Sequence, residues 1–202
     1  MKTTLIAIIA LLEALLVALL LFLLQHEVLP DKTVVLLVWL LPISFGVHVV
    51  EEFAFPGGYD NWYRAYRPGY AVTATTTFFI KANAIAGMTA TLLALGAVAF
   101  AGAYGYLGIY GWLVFLGVVA FNAIFHIRGA IETKQYCPGV VTGIVLYLPL
   151  AVISLICFLT AGVVGIVGAA ACFLAGSLYQ SVSDARRKLV LKKREQARFA
   201  LK

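Results

Sequence analysis

The chain has little of what a protein needs to face water. Asp, Glu, Lys and Arg together make up 12% of its 202 residues, whereas 63% are hydrophobic, and the mean hydropathy is +0.99. An ordinary soluble globule has an apolar share of roughly one half, so that class is excluded. The apolar runs do not alternate with polar residues, which excludes a transmembrane β-barrel. Cysteine is scarce. Cys137, Cys157 and Cys172 are odd in number and follow no disulfide or metal spacing, so they read as small buried apolar side chains. The first apolar run, 5–24, lacks a small-residue cleavage site at Leu23-Leu24-Gln25 and is interrupted by Glu13. It therefore reads as a membrane helix and not as a removable signal. No inverted repeat is visible, which weighs against a transporter.

What is present is a series of apolar runs of spanning length. A bilayer core takes about 20 residues of helix, and six segments meet that need: 5–24, 33–53, 75–100, 107–127, 140–159 and 162–182. The predicted fold is all-α, a polytopic bundle of six transmembrane helices. Residues 1–183 form the membrane domain and 184–202 form a basic tail. Pro42 is expected to kink the second helix, and Pro56-Gly57-Gly58 to end it. Gly168, Cys172 and Gly176 recur every four residues on the last helix, a spacing that suits close helix packing. The segment 59–70 is too polar to span. Its Tyr59, Trp62, Tyr63, Tyr66 and Tyr70, interleaved with Arg64 and Arg67, suit an interfacial anchor between helices two and three. The sharper alternative is a lid over a site.

The net charge of +6 is concentrated. Eight of the 15 basic residues follow Asp184, where they suit anionic lipid head groups and not nucleic acid. With six helices and the tail in the cytoplasm, 14 basic residues fall on the cytoplasmic side and only Lys32 falls outside. The expected location is a plasma membrane, with both termini cytoplasmic and the lipid bilayer as partner. The oligomeric state is not legible.

That topology gathers ionisable groups at one membrane face. His48, Glu51 and Glu52 end the second helix, at spacings of three and four that share a helical face. Asn122 and His126, four apart, end the fourth. Asn83 lies about two turns into the third. Such groups are costly at membrane depth and are functional candidates by default. Two imidazoles and a carboxylate are the ligand set of a catalytic zinc site. The expected ligands are His48, His126 and one of Glu51 or Glu52, with Glu52 preferred. The other glutamate would be the general acid or base, and Asn122 and Asn83 would orient ligands or stabilise an oxyanion. A di-iron centre normally needs more carboxylates and ranks lower. The expected activity is metal-dependent hydrolysis of a lipid-like or isoprenoid substrate. The alternatives are a metal-free Glu/His hydrolase, isomerase or cyclase, and a transporter or binding protein that uses the same cluster.

The run His48-Val49-Val50-Glu51-Glu52, followed by Asn122 and His126 and then by Tyr136-Cys137-Pro138-Gly139, resembles the HXXEE family of membrane proteins. The resemblance implies a small helical membrane protein, mostly prokaryotic, with these residues in one site, and it carries no established activity. A looser similarity to the CAAX-type intramembrane glutamic proteases rests on Glu51-Glu52, Asn122 and His126. Those proteases have an Arg four residues after the second Glu, where this chain has Pro56.

Overall fold

The computed structural model describes residues 32–67 and 107–182, together with positions 85, 87 and 89. The first helix with Glu13, most of the third with Asn83, and the basic tail lie outside the described residues. Among the described residues there is helix and no strand. Helix α1 spans Lys32–Phe53 and short α2 spans Tyr59–Tyr66. Helix α3 spans Leu107–Thr133, α4 spans Val140–Thr160 and α5 spans Ile166–Val182. Three of them, α1, α3 and α4, are long and apolar enough to cross a membrane, and α5 is a shorter apolar helix.

Helix α1 runs unbroken through Pro42. Proline has no N–H, so the Val38 carbonyl four residues back loses its helical partner. The buried Trp112 of α3 donates its indole N–H to that carbonyl at 3.1 Å. The proline is thus accommodated by a cross-helix bond, because a bilayer core offers no water to satisfy the carbonyl. Around this contact Leu37, Leu41, Leu113, Leu116, Tyr147 and Phe158 form the core. Val47, Val50, Ile144, Val145, Ile153 and Ile156 face outward and are exposed. An apolar outer face of this kind indicates membrane insertion.

Glycines set the closest approach. A Cβ on Gly117 of α3 would lie 2.1 Å from the Phe173 carbonyl oxygen, and one on Gly176 of α5 would lie 1.8 Å from that of Val114. The two backbones touch, as the small-residue stripe on the last helix predicts. The turn at residues 161–165 joins α4 to α5 and turns at Gly162, with φ +67°.

Two local features differ from expectation. The polar stretch from Gly129 is helical as far as Thr133. Arg128 pairs with Glu132 at 2.5 Å and Thr133 bonds back to the Gly129 carbonyl at 2.8 Å. These contacts between residues four apart extend the helix beyond its apolar part. In α4, residues Gly143–Tyr147 form a π-turn, just ahead of Pro149, which lacks an N–H for a carbonyl four residues back.

Candidate metal centre

The site lies where one end of α1, α3 and α4 meets the connecting turns. Helix α1 contributes His48, Glu51 and Glu52, and α3 contributes Asn122 and His126. The turn at 134–139 and the first residues of α4 contribute Tyr136, Cys137, Gly139 and Thr142. The His48, Glu52 and His126 side chains are buried, and the three ligand atoms they offer lie within 4.8 Å of one another. Glu52 Oε1 is 3.4 Å from His48 Nε2 and 3.0 Å from His126 Nε2.

Hydrogen bonding decides which nitrogen of each imidazole carries the proton. The Thr142 hydroxyl donates its one hydrogen to Glu51 Oε2 at 2.5 Å. Its oxygen, 2.7 Å from His48 Nδ1, must therefore accept from that nitrogen, which leaves the Nε2 lone pair of His48 toward the cluster. His126 Nδ1 is 3.3 Å from Cys137 Sγ, and that thiol bonds the Pro138 carbonyl at 3.7 Å. With the thiol hydrogen committed, the sulfur accepts from His126 Nδ1 and leaves Nε2 bare. His126 Nε2 is fully buried and has no hydrogen-bond partner, although Glu52 Oε1 is close by. With both imidazoles neutral, two outward lone pairs and a carboxylate oxygen converge on one point. Such a donor set fits a divalent cation, with each imidazole oriented through its other nitrogen.

The two glutamates have different surroundings. Glu51 Oε1 accepts from the Tyr136 hydroxyl at 2.7 Å and the Val141 N–H at 3.1 Å. Its Oε2 accepts from the Thr142 N–H at 2.7 Å and the Thr142 hydroxyl. Val141 and Thr142 open α4, where backbone N–H groups have no intrahelical partner. Glu51 therefore caps α4 from a neighbouring helix, a favourable place for a negative charge. It stands outside the His48–Glu52–His126 group.

A family model described as a protein of unknown function with an HXXEE motif matches residues 39–154. The chain belongs to the HXXEE family. No curated protein and no solved structure matches it. In this chain the HXXEE motif is His48, Glu51 and Glu52 on α1. Its first and last members belong to the His48–Glu52–His126 group, and its middle member caps α4.

Around the HXXEE motif the remaining contacts close the site. Gly139 adopts φ +98°, and a Cβ there would lie 2.7 Å from His126 Cε1 and 2.8 Å from His48 Cε1. Only glycine meets both demands. Thr142 and Tyr147 are five apart, yet both reach His48, since the Tyr147 ring lies 4.6 Å from its imidazole. The π-turn between them brings the two onto one face. Asn122 Nδ2 lies 3.0 Å from His48 Nε2. The Cys137 thiol is fully buried, and burial first, then the charges of Glu52 and Glu51, pushes its pKa up.

The aromatic segment packs over this end of the bundle. Trp62 of α2 sits against Gly129, where a Cβ would meet its ring at 2.5 Å. The Tyr59 ring lies 5.7 Å from that of His126 and 5.6 Å from that of Phe53. Tyr66 bonds Glu132, and Arg67 lies over the Tyr66 and Phe125 rings. Sequence reasoning missed Thr142. Its signal was a hydroxyl residue in the first turn after Pro138-Gly139, a place where such side chains bond locally.

Proposed function

We propose that this HXXEE protein is an integral membrane enzyme of six transmembrane helices. It would hold a divalent metal, zinc, near the cytoplasmic interface and hydrolyse a lipid-like or isoprenoid substrate. The buried convergence of His48, Glu52 and His126 carries this reading. The placement on the cytoplasmic side rests on the distribution of basic residues. His48, Glu52 and His126 are the ligands. When bound, the metal supplies Lewis acidity to polarise the scissile bond of the substrate. Glu51 and Thr142 orient His48, Cys137 orients His126, and the aromatic rings of α2 limit access of water. The apolar outer faces of α1 and α4 suit a substrate that arrives from the bilayer.

The test is elemental analysis of the purified protein beside His48→Ala and His126→Ala. It is paired with mass spectrometry of a lipid extract incubated with each. The expected result is zinc in the wild type alone, together with a lipid product that chelation abolishes and added zinc restores. Wild type with no more metal than the variants refutes the metal reading. Turnover that persists without metal would favour direct Glu52–His126 acid/base chemistry, since those two groups lie 3.0 Å apart.

A further inference from the structure

The ligand group His48–Glu52–His126 has a fourth neighbour whose chemistry is open. Asn122 lies four residues before His126 on α3, just as His48 lies four before Glu52 on α1. Residues four apart project side by side from a helix. Two facing helices thus each present such a pair, and the four side chains meet at one level of the bundle. The end of the Asn122 amide is 3.0 Å from His48 Nε2, while Glu52 Oε1 is 3.4 Å and 3.0 Å from the two imidazole nitrogens. Two ligands each about 2 Å from a shared ion lie roughly 3–3.4 Å apart. These three separations fall in that range, and the ligand atoms of His48, Glu52 and His126 all lie within 4.8 Å of one another.

An asparagine amide has two isosteric ends, one a donor and one an acceptor. With Nδ2 inward, it donates to the bare Nε2 lone pair of His48 and occupies one of the three ligand atoms. With Oδ1 inward, four lone pairs converge: two imidazole nitrogens, one carboxylate oxygen and one amide oxygen. Among the described residues no hydrogen bond holds the outer end of the amide, so a half turn about its last bond breaks only the bond to His48.

We infer that Asn122 is a fourth protein ligand of the metal, through Oδ1, and that its amide turns when the ion binds. This rests on the metal reading above and extends it. The site becomes a mixed nitrogen and oxygen set from two helices, suited to zinc and to the harder divalent ions that accept amide oxygen. In its turned-back position the same amide covers His48 Nε2, so a single side chain both shields the lone pair and completes the site.

The experiment is a cobalt(II) titration of the full-length protein in detergent, read by visible absorption, which reports ligand number and geometry. Wild type is compared with Asn122→Leu and Asn122→Asp. The Leu variant should bind cobalt at least about tenfold more weakly, in keeping with losses at metal sites, and should give an altered spectrum. The Asp variant offers oxygen at the same point and should bind at least as tightly as wild type. If Asn122→Asp loses affinity alongside Asn122→Leu, the amide acts as an N–H donor to His48, and the inference falls. A Leu variant with wild-type affinity and spectrum overturns it too. Either result leaves the metal reading standing, whereas wild type that takes up no cobalt overturns both. Should the Leu variant fail to fold, the Asp variant still decides.

Discussion

Replacing Glu51 by Gln separates the two glutamates of the motif. The carboxylate receives four donors, from the Tyr136 hydroxyl, the Val141 N–H, the Thr142 N–H and the Thr142 hydroxyl. An amide offers one acceptor oxygen and one donor NH2. The less costly orientation keeps the oxygen on Thr142 and turns the NH2 toward Tyr136 and Val141. Tyr136 is 46% exposed and can turn to water, but the Val141 N–H is left facing another donor. A buried unpaired donor costs about 1–3 kcal/mol, and bonds to a charged acceptor exceed neutral ones by roughly 1 kcal/mol each. With the two Thr142 bonds now made to a neutral oxygen, the sum predicts a loss of about 3–5 kcal/mol of stability. Glu52→Gln removes no donor from α4 and should leave stability within about 1 kcal/mol while abolishing metal uptake. Equilibrium unfolding in mixed micelles, with metal content measured on the same preparations, checks both. If Glu51→Gln is as stable as wild type and loses its metal while Glu52→Gln keeps both, the assigned roles are reversed and the reasoning fails.

Two further outcomes follow from the same region. Gly139→Ala sets a Cβ within 2.8 Å of both imidazoles at φ +98°. It should cost about 2–4 kcal/mol from backbone strain plus overpacking and should weaken metal binding; unchanged unfolding would contradict the geometry. Cys137 is fully buried, and burial and the neighbouring carboxylates hold its thiol protonated above the ordinary range. Since the thiolate is the nucleophile, maleimide should label Cys157 and Cys172 before Cys137 in folded protein. All three should label together after denaturation, as mass mapping would show.

Much of the scaffold is legible in the sequence, because a bilayer imposes length and apolarity on each span. The expected second helix, 33–53, corresponds to the observed Lys32–Phe53. The spans of α3 and α4 also begin where composition places them. The end of α3 was not legible: hydropathy stops near Ile127, whereas Arg128, Glu132 and Thr133 continue the helix with local polar contacts. That the aromatic segment packs on this end of the bundle was likewise not legible, since it depends on the seat of Trp62 on Gly129, which no composition shows.

The sequence by itself determined the chemical inventory: a hydrophobic helical chain with His48, Glu51, Glu52, Asn122 and His126 at spacings of three and four. Those spacings are properties of one helix, so periodicity alone reveals them. Only the tertiary structure decided that Glu52 joins the imidazoles and Glu51 caps α4. Adjacent residues point about 100° apart on a helix, and which of them meets His126 depends on where α3 and α4 pack. The same holds for Thr142, Cys137 and Gly139. Their importance comes from contacts across 94, 11 and 13 residues of chain with His48 and His126, and no local pattern encodes such contacts.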